Sequence, residues 1–248
     1  MLRRRWLKTR GLWYFWPKAA WRGEMCRAAG THGDPQLKPR HGGARAGETM
    51  AKKLEFFYDC SSPWTYLAFS RIEDVARRHG ADLVWRPILV GGVFNAVNPS
   101  VYEGREHPVK PKVRYYDKDL QDWARLYGLK IGHPTVFPVN SVKAMRGAFV
   151  AHEHGNISPY SRRVFEAYWS EDRDLGRDEV LRDIVREVGL DHGEFFKKIA
   201  APEYKDKLRV NTAELIARGG FGSPTMFVDG DMFFGNDRLV LVEHRLSH

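Results

Sequence analysis

The clearest pattern of apolar and polar positions starts at Lys53. The stretch KLEFFYDCSSPWTYL (Lys53–Leu67) opens with Leu54, Phe56, Phe57 and Tyr58, a short aromatic-rich run that predicts a buried strand. It then turns at Ser61-Ser62-Pro63. Ser directly ahead of Pro signals a helix start, because Pro at the first helical position loses no hydrogen bond and its φ is already helical. Tyr66, Leu67, Phe69, Ile72, Val75 and Ala76 fall on one face of the helix predicted over Pro63–His79, and Gly80 ends it. Asp82–Val90 predicts a second strand, with Pro87 placing it at an edge or a bulge.

After this β-α-β opening the period changes. Gly91–Pro99 predicts a short helix or loop, and Val101–Lys112, rich in Pro and charge, predicts a loop. Helical patterns follow over Val113–Tyr127, closed by Gly128, and from Asn140 or Ser141 as cap through His154. Others cover Pro159–Ser170, Arg177–Val188, Gly193–Ala200 behind an Asp191 cap, and Pro202–Arg218. Lys130–Val139, with Pro134 and Pro138, is irregular. Strands return at Thr225–Val228 and Met232–Phe234 around an Asp229-Gly230-Asp231 turn, a hairpin signal. Arg238–Leu246 is a last helix with Asn236 or Asp237 as cap. The sum is an α/β, thioredoxin-like fold: β-α-β, an all-helical insertion, then β-β-α. Its expected parts are a basic, disordered extension over 1–49, a thioredoxin-like domain from 50–90 and 219–248, and a helical domain over 91–218.

Charge sharpens that division. The 248 residues carry a formal net charge of +9, but Met1–Thr49 holds eleven basic and three acidic residues, which leaves Met50–His248 near neutrality. A nucleic-acid surface on the fold is therefore not expected. Arg3-Arg4-Arg5-Trp6 resembles a twin-arginine export signal, yet the apolar stretch behind it is short and broken by Pro17 and Lys18. Met50 stands immediately before the first strand and reads as the natural start, with the upstream segment disordered or not made; targeting is the alternative. No run is long enough to cross a bilayer. The two cysteines, Cys26 and Cys60, form no C-x-x-C and no zinc spacing, so a reducing, cytoplasmic setting is expected.

Candidate chemistry gathers where a strand runs into a helix. Free N–H groups and the positive helix end favour an anion, and Ser62 adds a hydroxyl there, although it also suits a plain N-cap. Ser223-Pro224 precedes a strand where a thioredoxin-like fold carries a cis-proline, offering the main chain of Ser223 to a peptide-like ligand. Asp237, if not merely a cap, is placed to take a ligand ammonium. Lys110, Lys112, Asn95 and Asn98 are weak candidates alone. Across His152-Glu153-His154 the two imidazoles point to different sides of a helix and do not make a metal site. Cys60 reads as a buried, inert thiol.

Taken together, FFYDCSSPWTYLAF, VNPS, KVRYYDKDL, FPVNSVKAMRG and FGSPTMFVDGDMFFGNDRL resemble the 2-hydroxychromene-2-carboxylate isomerases, relatives of the kappa-class glutathione transferases in the DsbA-like branch of the thioredoxin superfamily. The resemblance spans about Lys53 to Leu246. Ser62-Pro63-Trp64-Thr65 stands where disulfide oxidoreductases have Cys-Pro-x-Cys, so dithiol exchange there is ruled out. The resemblance implies glutathione as cofactor, Ser62 meeting its thiol, and further contacts at Asn98, Lys112, Ser223, Pro224, Asn236 and Asp237. Asn95 remains an alternative to Asn98, and Ser61 supplies a second hydroxyl beside Ser62. It also implies opening of a chromene hemiketal to trans-o-hydroxybenzylidenepyruvate, or action on a related aromatic held by Trp64, Phe94, Tyr115 and Phe137. A homodimer is common among such relatives. A glutathione transferase or peroxidase consuming the tripeptide is the alternative, and a basic-tailed binding protein on a degenerate scaffold is the third reading.

Overall fold

The computed structural model describes residues 51–248; the expectations for the N-terminal extension and for Met50 as the start lie outside them. Strand β1 (Lys53–Tyr58) is an interior strand of a four-stranded sheet ordered β2-β1-β3-β4. It pairs parallel with β2 (Asp82–Pro87) and antiparallel with β3 (Thr225–Val228), which pairs antiparallel with β4 (Asp231–Phe234). Because both faces of β1 are covered, its sequence is a continuous apolar run rather than an alternation. Leu54, Phe56 and Tyr58 join the large core, while Phe57 packs on the other side with Ile88, Val93, Leu215 and Phe227. Burying a ring such as Phe57 stabilises the fold by about 2 kcal/mol.

Helix α1 (Pro63–Arg78) connects the parallel strands. Ser62 is its N-cap in extended conformation, Pro63 opens it, and the predicted apolar face from Tyr66 to Ala76 is buried. β2 is an edge strand and stops at Pro87, shorter than the expected Asp82–Val90, because Val90 already begins α2 (Val90–Val97). The loop expected over Val101–Lys112 is instead mostly helical: α3 (Ser100–Glu106) and the first turn of α4 (Lys110–Tyr127) occupy it. Pro111 reads as a breaker, but it lies in the first turn of α4, where a missing N–H costs nothing. Gly128 closes α4 at φ 67°.

The residues at 129–141 form no regular element and contain a cis Phe137-Pro138 bond. Then come α5 (Val142–Glu153), α6 (Ile157–Phe165) running into a π turn over Glu166–Ser170, α7 (Asp178–Glu187), α8 (His192–Ala200) and α9 (Pro202–Ala217). As expected, Asp191 caps α8 by accepting from Glu194 N. Helices α6 and α8 close tightly on α5 at Gly147, where an added Cβ would lie 2.3 Å from the Phe195 ring. The β3–β4 turn holds Asp229 and Gly230 at φ 50° and 93°, the geometry a tight two-residue hairpin requires. The final helix differs from expectation: Asn236–Arg238 is a separate 3₁₀ turn, and α10 (Leu239–Ser247) starts behind it with Arg238, not Asn236 or Asp237, at the cap position.

Candidate active site

Three helix starts and one loop converge at the end of β1. Asp59, just past the strand and fully buried, organises them. One carboxylate oxygen accepts from Ser61 N at 2.9 Å; the other accepts from Val90 N at 2.8 Å and from Ser141 Oγ at 3.1 Å. The carboxylate thereby ties the turn into α1 to the first residues of α2 and α5. Burial pushes the Asp59 carboxyl above its usual range, and these neutral donors only partly offset that. Ser141 precedes α5 as expected, but its hydroxyl serves Asp59 rather than the helix; Asn140 Oδ1 accepts from Val142 N at 3.2 Å.

The Ser62 hydroxyl does two things at once. It accepts from Thr65 N at 3.3 Å, as an N-cap does, and donates to the Ser223 carbonyl at 3.1 Å. The Ser223-Pro224 bond is cis, as expected. The Ser223 hydroxyl is itself fixed, accepting from Asp59 N at 3.0 Å and lying 2.8 Å from Thr65 Oγ1. The end of β1, the start of α1 and the approach to β3 are thus sewn into one small polar floor.

That floor opens into a cavity of about 1100 Å³ whose walls are mostly apolar. Ser61, Ser62, Ser223 and Asn98 line it, and so do Trp64, Phe94 and Phe137. Asn98 Nδ2 donates to Phe221 O at 3.1 Å; Asn95 lies off the wall and accepts from Tyr102 OH at 2.8 Å. Tyr115, expected among the aromatic walls, is exposed instead. The part of α4 turned to the cavity carries Val113, Arg114, Tyr116, Asp117 and Leu120 and leaves position 115 outside.

The other expected contacts lie off the wall. The Lys112 ammonium sits 5.4 Å from the Tyr116 ring centroid. Asp237 is ion-paired with its neighbour Arg238. Asn236 is 2 % exposed and faces Tyr127, yet neither of its side-chain polar atoms makes a hydrogen bond of acceptable geometry among the described residues.

Cys60 is inert by construction: it is buried, burial drives its thiol well above the usual range, and its carbonyl accepts from Trp169 Nε1 at 2.9 Å. Glu153 is engaged by Lys207, Tyr204 and Lys198, and no three His, Cys, Asp or Glu side chains converge for a metal among the described residues. No helix among the described residues is long and apolar enough to cross a membrane. The local signals give Asp59 no role and Ser141 only that of a helix cap. The available signal was an acidic residue at the inner end of an aromatic strand, where a charge without a purpose is costly.

Comparison with known proteins agrees with this geometry. The DSBA-like thioredoxin domain family matches residues 53–247. A 2-hydroxychromene-2-carboxylate isomerase of Sphingobium xenophagum is 30% identical over 79% of this chain and 99% of its own length. Rat glutathione S-transferase kappa 1 is 27% identical over 78% of this chain and 90% of its own. A solved 2-hydroxychromene-2-carboxylate isomerase superposes with a TM-score of 0.67 at 27% identity, covering 79% of this chain and 94% of the other. With a serine in place of the redox cysteines at the helix start, and relatives that are isomerases and kappa transferases, the chain belongs to the 2-hydroxychromene-2-carboxylate isomerase family within the DSBA-like thioredoxin domain proteins.

Proposed function

We propose that this protein is a glutathione-dependent isomerase that opens a chromene hemiketal carboxylate, or a related aromatic, in the cavity above Ser62. One observation carries the reading: the Ser62 hydroxyl sits at the N-terminus of α1 on the cavity floor, 3.1 Å from the Ser223 carbonyl beside a cis-proline. The donor set there fits a thiolate. A hydroxyl and the start of a 16-residue helix both favour a negative sulfur and lower the pKa of the thiol that approaches them. The main chain of Ser223 presents an edge to a peptide-like ligand. Asn98 extends the polar contacts along the wall; Lys112 and Asp237, which lie beyond it, are the residues proposed for the tripeptide's charged ends, with the buried Asn236 beside Asp237.

The chemistry that bound glutathione supplies is a sulfur nucleophile for a conjugated double bond, whose addition and loss permit rotation about that bond. The protein's own part is to hold and orient. Ser62 exchanges its bond to Ser223 for one to the sulfur. Trp64, Phe94 and Phe137 shield a flat substrate from water. Asp59, behind them, keeps the turn before α1 aligned with α2 and α5. Calorimetric titration with glutathione, together with turnover of a chromene hemiketal carboxylate in its presence, tests the reading on wild type and Ser62→Ala. The expected result is binding by the wild type and, in the variant, a turnover loss of roughly a hundredfold, typical for removal of one preorganised donor. Equal turnover in the two proteins sinks it. The kappa-type relatives support a second reading, a transferase. A stable glutathione conjugate found by mass after incubation with an electrophile selects that one.

A further inference from the structure

The wall of the same cavity carries an arginine held without a counter-ion among the described residues. Arg105, on α3, places its guanidinium carbon 5.3 Å from the Phe137 ring centroid, 5.9 Å from Tyr102 and 6.0 Å from Phe94. The rings are themselves positioned. Phe94 and Tyr102 meet edge to face at 6.3 Å, Tyr102 OH donates to Asn95 Oδ1, and Phe137 lies 6.4 Å from Trp169. An arginine resting on aromatic faces is common on protein surfaces, and that alone carries nothing.

Two further observations separate this one. First, its guanidinium has no carboxylate within ion-pair distance and no hydrogen-bond acceptor among the described residues. Arg86 and Arg218, which also rest on the Phe57 ring, are both satisfied by Glu55 at 2.9 and 2.8 Å. Second, Arg105 and its three rings line the same cavity as Ser62. The nearby acid on that wall, Asp117, faces His133 at 3.1 Å rather than the arginine. A guanidinium resting among rings, with no carboxylate paired to it, keeps its N–H fork for a planar anion.

We propose that Arg105 is the specificity-determining receptor for a carboxylate carried by an aromatic substrate. The rings of Phe94 and Phe137 take the substrate's flat face, and the fork takes its carboxylate end. The cavity thereby selects planar aromatic acids over their neutral analogues and fixes how the substrate lies in it. This rests on the reading of the cavity as an aromatic-substrate site and not on glutathione.

The test uses the full chain and two probes of one shape, cinnamate and cinnamamide, titrated calorimetrically in the presence and absence of glutathione. Wild type binds cinnamate about tenfold or more tighter than cinnamamide, the range for one charge-assisted pair. In Arg105→Gln the preference disappears while cinnamamide binds as before, and Arg105→Lys keeps part of it. Arg105 is exposed, so these variants are expected to fold, and an unchanged thermal midpoint records that. Glutathione affinity is the same in all three proteins. A preference that survives in Arg105→Gln, or is absent from the wild type, overturns the proposal. So does a loss of glutathione affinity as large as the loss for cinnamate, which would assign the arginine to the tripeptide. If the wild type discriminates through Arg105 yet does not bind glutathione, the cofactor reading fails and this one stands.

Discussion

Glu55, within β1, and Asp59, just past its end, lie four positions apart, and the fold treats these two buried acids in opposite ways. Glu55 is surrounded by cations: Arg86 at 2.9 Å, Arg218 at 2.8 Å and Lys53 at 3.2 Å. Burial by itself raises the Glu55 pKa, but Arg218, Arg86 and Lys53 outweigh it and bring the carboxyl to about 2. Asp59 meets only neutral donors, and burial keeps its pKa raised. The first arrangement is a structural clamp that fastens β1 to β2 and to the end of α9. The second leaves a carboxylate behind the proposed site with no positive charge bonded to it. A cation there would pull on a thiolate from the wrong side; neutral donors align three cavity segments without doing so.

Substitutions can break this contrast, beginning with the site end. Asp59→Ala strands the Ser61 and Val90 amides and the Ser141 hydroxyl, and is expected to destabilise the fold by about 3 kcal/mol in urea unfolding. It also removes the alignment of the cavity floor, so glutathione titration should weaken with it. Glu55→Gln is expected to cost about 1–2 kcal/mol and to leave that titration unchanged. The cost falls below that of a fully buried pair because Arg86 and Arg218 remain about a quarter exposed and keep contacts to Glu214. Ser141→Ala, removing one neutral donor, should cost about 1 kcal/mol and push the Asp59 carboxyl higher still.

The smallest effect is the most diagnostic. Because the folded Glu55 pKa is depressed, its contribution is present above pH 4.5 and is lost as pH falls toward about 2. The folded Asp59 pKa is raised, so in the window above its unfolded value near 3.8 the native state holds the extra proton, and stability declines as pH rises. Subtracting the stability–pH curve of Glu55→Gln from that of wild type should leave a rising slope below pH 4.5. Subtracting that of Asp59→Asn should leave a falling slope above pH 3.8. Slopes of the same sign in both differences would erase the distinction.

Much of this was legible in the chain. The β1–α1 junction, the hairpin and the serine at the helix start are written in local signals: an aromatic run, Ser-Pro, Asp-Gly. The cis-proline and the off-register Tyr115 show the two limits of such reading. The first follows from a pattern of elements, whereas the second depends on which side of α4 meets the cavity, a tertiary fact that the helical period does not carry. Helix α3 was hidden because Pro and charge around it mimic a loop and no residue of it is fully buried. The Asp59 network was hidden for a different reason. Its partners lie at positions 61, 90 and 141, and a carboxylate that gathers distant neutral donors leaves no periodic trace.

The burial of the Cys60 thiol, on a backbone held by the Met145 sulfur and the Trp169 indole, has a practical corollary. An alkylating reagent reaches it only when the strand end parts from the helices, so the rate at which the Cys60 peptide gains mass under pulse labelling reports that opening. Run with and without candidate ligands, such a clock registers occupancy of the neighbouring cavity through a sulfur that no ligand touches.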